Sequence, residues 1–262
     1  MNADECRSRK LLQLSAFICV YLRLGSFCAA QDASPFEANT FTSGGDILPY
    51  RIFVPKTYAK EKSRKFPLIL YLHNALGRGT DNLKQITEVN APGPSLFSSD
   101  QVQAAHPSII VAPQCPAGQS WASINPVRIL PAGFQAVELV DSLMKQLRVD
   151  TNRVYLVGQS IGGSGVWALL ADHPEKFAAA VPLAAFGDTA SIDRLASIPV
   201  WIFQGEKDQT VPVARVRKMV AALKEAGGSP KYTEYPGALH DIWSKAFAEP
   251  QLPEWLFSQK KK

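Results

Sequence analysis

Ser160 stands in the run Gly158-Gln159-Ser160-Ile161-Gly162-Gly163. The apolar stretch Val154-Tyr155-Leu156-Val157 leads into it, and a helix-forming segment through Trp167-Ala168-Leu169-Leu170 leads away. A G-x-S-x-G spacing entered from a strand and left by a helix is that of a nucleophile elbow, a strained turn that lifts a serine oxygen above a parallel sheet. Small residues two positions either side of the serine keep side chains out of a turn too tight to hold them. The helix beginning there aims its positive dipole end at the place where an oxyanion would form. Taken alone, the motif also fits a plain turn. A catalytic serine needs a base, an orienting acid and oxyanion donors, and the rest of the chain must supply them.

The chain holds four histidines. His73 belongs to a strand-end loop before Asn74, where shaping the backbone is the expected task. His106 precedes Pro107 in a polar loop, and His173 precedes Pro174 near the end of the helix after Ser160, where a cation suits the dipole. Surface and capping roles suffice for those two. His240 follows the last expected strand and stands downstream of an acid, giving the chain order Ser, Asp, His. It is the candidate base. Two acids could orient it: Asp208, after a strand at 200–203 and before Thr210-Val211-Pro212, and Asp188, after the preceding strand. Asp208 is preferred, although either could equally cap a turn. Glu206 and Asp241 read as solvated. The oxyanion hole should pair the amide of Ile161 with one from the loop after His73, Ala75 by position or Leu76 in its place. Asn74, Leu76, Gln159 and Trp121 are the residues expected to touch substrate.

Positioning these groups requires a sheet. Residues 40–54, with Gly44-Gly45-Asp46 in the middle, read as two edge strands joined by a hairpin. Nearly continuous apolar runs at 66–73, 108–112, 177–184 and 200–203 read as strands buried on both faces, and 232–235 as the last strand. Apolar residues at helical spacing mark 134–147 and 213–226, and Asp241 opens a final helix with Trp243 and Phe247. Residues 80–103 are mixed, with room for one short helix and a breaker at Pro92-Gly93-Pro94. Strands alternating with helices imply a doubly wound, mostly parallel sheet with helices on both faces. Ser160, Asp208, His240 and the His73 loop all follow strand ends, and such ends gather in one crevice.

At 262 residues, 46% hydrophobic and 19% charged, the chain suits one large α/β domain. The net charge of +5 shrinks once residues 1–30 are set aside, since 24 basic and 21 acidic residues then remain, a net +3. No basic patch interleaved with aromatics is present, so nucleic-acid binding is not expected. Arg7, Arg9 and Lys10, the apolar run 11–22 and Cys28-Ala29-Ala30 have the layout of an export signal cleaved before Gln31, an uncleaved membrane anchor being the alternative although the apolar segment before Arg23 is short for a span. The expected organisation is therefore a signal peptide at 1–30 and a catalytic domain at 31–262. Export would place the protein in a periplasmic or extracellular setting with no stable membrane association after cleavage. Three of the four cysteines fall in the signal segment, leaving Cys115, so neither a disulfide nor a cysteine metal cluster is available to the mature chain.

Several further segments carry a resemblance. They are Leu48-Pro49-Tyr50-Arg51-Ile52-Phe53-Val54-Pro55, Gly77-Arg78-Gly79-Thr80-Asp81-Asn82 and Ala112-Pro113-Gln114-Cys115-Pro116, together with the elbow, Gly205-Glu206-Lys207-Asp208 with Val211-Pro212, and the segment from Tyr235 to His240. From about residue 41 to 259 the chain resembles bacterial α/β-hydrolase esterases of the phospholipase/carboxylesterase type, in particular their secreted, polyhydroxybutyrate-depolymerase-like members. The resemblance implies the α/β-hydrolase fold, a Ser160–His240–Asp208 triad acting on small or polymer-linked carboxylic esters, and no cofactor or metal. One departure is visible. The family usually has His-Gly at the oxyanion loop, where this chain has His73-Asn74. A glycine there permits a positive φ, and asparagine is the side-chain-bearing residue that tolerates one best. A peptidase of the prolyl oligopeptidase type and a non-catalytic binding protein are the rival functions.

Overall fold

The computed structural model describes residues 34–261, and the expected signal peptide lies outside them. Eight strands form one sheet: β1 (Glu37–Ser43), β2 (Asp46–Phe53), β3 (Phe66–Leu72), β4 (Ile109–Pro113), β5 (Val149–Gln159), β6 (Ala179–Leu183), β7 (Trp201–Gly205) and β8 (Lys231–Tyr235). Their order is β1-β2-β4-β3-β5-β6-β7-β8. β1 and β2 pair antiparallel, as do β2 and β4, and every pairing from β4 to β8 is parallel. The β1–β2 connection is a two-residue turn in which Gly44 and Gly45 both have positive φ, as the hairpin turns that match strand twist require.

Helices α1 (Pro92–Ser98), α2 (Asp100–Ala105), α3 (Pro131–Gln146), α4 (Ile161–Asp172), α5 (Ile192–Leu195), α6 (Val213–Glu225), α7 (Trp243–Phe247) and α8 (Leu252–Ser258) cover the sheet. Every residue of β3 is buried, and its side chains alternate between two cores. Leu68, Leu70 and Leu72 join α3, α4 and α6 on one face, whereas Ile69 and Tyr71 join α1, α2, α7 and α8 on the other. Apolar burial on both faces is the condition under which a parallel sheet persists.

Residues 92–105 hold two helices, α1 and α2, where the sequence allowed one short helix, and two further differences concern prolines at helix starts. Pro92-Gly93-Pro94 opens α1 and breaks nothing, because a proline in the first turn gives up an amide that has no intrahelical partner. A second C-terminal helix, α8, follows α7, and it too begins with a proline in its first turn. Phe97 clamps these pieces together. It is fully buried, with its ring edge-on to Phe247 of α7 and Phe257 of α8, each at 6.3 Å. Phe97→Ala should therefore cost about 3–5 kcal/mol of unfolding free energy, readable by urea denaturation. A loss below about 1 kcal/mol would mean that α1 does not anchor the C-terminal helices.

Candidate active site

β5 ends at Gln159, α4 begins at Ile161, and the single residue between them, Ser160, has φ 55° and ψ −117°. A positive φ is strained for a serine and persists only where the surroundings enforce it. The enforcement is visible. The Ser160 amide donates to the Leu183 carbonyl at 2.9 Å. The first turn of α4 presses so closely on the end of β3 that a Cβ on Gly162 would sit 2.0 Å from the Leu72 carbonyl oxygen. Sheet and helix thus hold the serine hydroxyl at the carboxyl edge of the strands.

Ser160 Oγ lies 2.9 Å from His240 Nε2, and His240 Nδ1 lies 2.7 Å from Asp208 Oδ2. The Asp208 side chain is fully buried. Its Oδ1 accepts from the amides of Thr210 and Val211, each at 2.8 Å, and its Oδ2 also accepts from Gln204 Nε2 at 3.1 Å. Hydrogen bonds to the charged form are what make a buried carboxylate tolerable. His240 comes from a loop tied to the Asp208 loop: Lys207 N–H donates to Ala238 O, and Gly237 N–H to Glu206 Oε2. A Cβ on Gly205 would stand 2.1 Å from the Leu239 carbonyl oxygen, so the two loops meet only because that residue is glycine. The other acid considered, Asp188, caps the amide of Ala190 and does not meet His240. His106 and His173 pair with nearby surface acids.

The loop after β3 forms the opposite wall. His73 is fully buried, its Nδ1 donates to Asn74 O at 2.6 Å, and its Nε2 accepts from the amide of Cys115 at 2.9 Å. Because Cys115 N–H can only donate, the neutral ring carries its proton on Nδ1. Burial pushes His73 down to about 4, a little further with the Arg78 charge nearby and against the hydrogen bond to Asn74. Cys115, similarly desolvated, is pushed up to about 12 and stays an inert thiol.

Asn74 corrects an expectation. Its φ is −75° and its ψ −177°, so the loop does not use the left-handed backbone that a glycine would offer. Its side chain instead caps the short turn Ala75–Gly77, Oδ1 accepting from Leu76 N–H at 2.9 Å. That bond removes Leu76 as an oxyanion donor. Ala75 and Ile161 each occupy the first position of a helical turn, where an N–H has no intrahelical partner, and among the described residues neither amide has another. Asn74, Ala75, Leu76, Ser160, His240 and Trp243 line a largely apolar cavity of about 320 Å³, and Val89, Thr210 and Asp241 complete it.

Two residues expected to touch substrate do not. Gln159 is fully buried: Tyr71 Oη donates to its Oε1, and its Nε2 donates to Val89 O and Asn90 Oδ1. Trp121 is also fully buried, its Nε1 donating to His73 O. Both brace the site from behind. The hub of this bracing, Asn90, went unseen in the sequence. It accepts from the Asn74 amide and from Gln159 on one oxygen and donates to Lys84 O. A tyrosine inside an otherwise apolar strand was its only signal, since a buried hydroxyl must find a partner.

Residues 134–202, which include Ser160 but neither Asp208 nor His240, match the prolyl oligopeptidase family. Among solved structures, a thermostable esterase is 35% identical, with a TM-score of 0.83 over 87% of this chain and 64% of that one. A ferulic acid esterase shares the fold at 19% identity and a TM-score of 0.65, over 85% of this chain and 98% of that one. An uncharacterized secreted protein of Arthroderma benhamiae is 26% identical over 253 residues, covering 78% of this chain. The chain spans only 25% of that relative's length.

The buried His73 imposes a pH signature on stability. With a native value near 4 and an ordinary unfolded value near 6.5, the unfolded chain takes up the proton first. Stability from this group is complete above about 6.5 and is lost as pH falls toward about 4. Urea unfolding across that range should show His73→Asn losing this dependence, approaching a slope of one proton relative to the wild type. Parallel profiles would contradict the buried, neutral ring.

Proposed function

We propose that this chain, an α/β-hydrolase by its sheet order and structural neighbours, is a serine carboxylic ester hydrolase. The observation that carries the reading is the contact chain Ser160–His240–Asp208, set beside two amides that have no partner among the described residues. In this mechanism His240 Nε2 takes the Ser160 proton as the oxygen attacks the ester carbonyl, and Asp208 holds the ring and stabilises the imidazolium. The amides of Ile161 and Ala75 receive the developing oxyanion, helped by the N-terminus of α4. His240 then protonates the departing alcohol. Water, deprotonated by the same nitrogen, cleaves the acyl-enzyme and releases the acid. One water is consumed per ester bond. The residues named suffice for this cycle.

Leu76, Val89 and Trp243 give the 320 Å³ cavity a surface suited to an apolar group of one ester half, on a small molecule or at the end of a polymer chain. The match to the prolyl oligopeptidase family favours a peptidase as the second reading. That match stops before the acid and the base, whereas the 35% identity to an esterase runs over most of the chain, so ester hydrolysis is preferred. Export is part of the proposal. It is supported by the charge and hydropathy layout of residues 1–30 and by a relative described as secreted. Among the described residues no helix is long and apolar enough to cross a membrane.

Hydrolysis of short-chain nitrophenyl esters by the purified protein should fall by about 10⁴-fold or more in Ser160→Ala, with the unfolding midpoint preserved. Undiminished turnover in that variant would remove Ser160 from the mechanism. Turnover of peptidyl amides faster than of esters would favour the peptidase.

A further inference from the structure

Ser160 borders a second cleft besides the apolar cavity. This narrower space, about 140 Å³, runs from Ser160 and Ile161 along Phe186 to Arg215. Ile124, Phe186 and Arg215 also line an outer groove of about 170 Å³, so the path continues outward from the serine. The outer groove adds Lys218 and one acid, Asp188, whose Oδ1 is already held by the Ala190 amide. Arg215 and Lys218 outnumber that single acid.

Arg215 is held in an unusual way. Its Cζ sits 3.9 Å from the centroid of the Phe186 ring, a cation–π contact that places the guanidinium in the cleft without using its N–H donors, and the residue is exposed. Among the described residues no carboxylate lies within ion-pair distance of it, whereas Arg217, on the same helix, is closed off by Glu234. Arg215 also occupies the first turn of α6, which contains no acid. A cation is disfavoured at that positive dipole end, so helix stability does not explain its presence. Dipole and guanidinium would both favour an anion placed in the cleft.

Resting on the esterase reading above, we propose that Arg215, stacked on Phe186, anchors a carboxylate carried by the ester substrate. The apolar half of such an ester occupies the cavity beside Leu76 and Trp243, and the carboxylate-bearing half follows the Phe186 cleft to Arg215. A planar guanidinium edge matches a carboxylate in a two-bond geometry, which makes Arg215 a determinant of specificity. It takes no part in bond making.

The test compares kcat/KM for charged and neutral partners of one shape. Monoethyl glutarate against its primary-amide analogue places the charge on the acyl half, and 3-acetoxypropanoate against 3-acetoxypropanamide places it on the alcohol half. Wild-type protein should favour the anion in one pair, and Arg215→Met should lower that ratio about tenfold. Added salt should erode the wild-type ratio more than that of the variant. Which pair responds identifies the half that enters the cleft. Ratios equal in wild type and Arg215→Met for both pairs would overturn the anchor while leaving the esterase intact. Absence of turnover on all four substrates, together with absence of fluorophosphonate labelling, would overturn both.

Discussion

One buried negative charge organises the site. The Asp208 carboxylate has no access to water, and four donors compensate it: Gln204 at the end of β7, the amides of Thr210 and Val211, and His240. Leaving such a charge short of a donor costs more than a typical hydrogen bond contributes, so the donors must arrive together. Two loops, one after β7 and one after β8, are therefore fixed by a single group. Gly205 allows their close approach, and the parallel pairing of β7 with β8 sets their level. The orientation of His240 toward Ser160 follows from this compensation.

The opposite wall rests on polar groups of another kind. His73, neutral and buried, uses both ring nitrogens on backbone groups, and Asn90 ties the Asn74 amide to Gln159 beneath the elbow. Asn74 replaces what a glycine would do by a different route. Its backbone is extended and its side chain caps the next turn, which leaves Ala75 N–H with no acceptor among the described residues. Serine strain on one side and asparagine capping on the other thus serve one arrangement of free amides. The ring of His73 and the side chain of Asn90 spend their polar atoms on this wall, and small departures would leave one of them buried and unpaired.

Much of the fold was legible because it is periodic. The strands at 66–72 and 109–113 are uninterrupted apolar runs, and the helices at 131–146 and 213–225 follow their apolar spacing. Ser160, Asp208 and His240 could be picked out as strand-end residues in a fixed chain order, with Asp208 already preferred to Asp188, and the coordinates bring the three within hydrogen-bond reach. The region 80–107 has no period, so one short helix was allowed there without being placed, and the pair α1 and α2 and the Asn90 hub were not readable from it. Gln159 was misplaced for a different reason. Its position beside Ser160 suggested substrate contact, yet strand alternation puts it on the same face as Tyr155 and Val157, in the second core with Tyr71. Trp121 reached the back of His73 through a loop whose path no pattern encodes.

The central claim is that Asp208 orients His240 so that the base activates Ser160. Peptide mapping of a fluorophosphonate adduct, with its rate of formation measured in wild type and Asp208→Asn, tests it most directly. The expected result is a single adduct on Ser160 that forms about 10⁴-fold more slowly in Asp208→Asn, because the amide holds the imidazole in the wrong tautomer. An adduct on another residue, or labelling of Asp208→Asn at the wild-type rate, would contradict it.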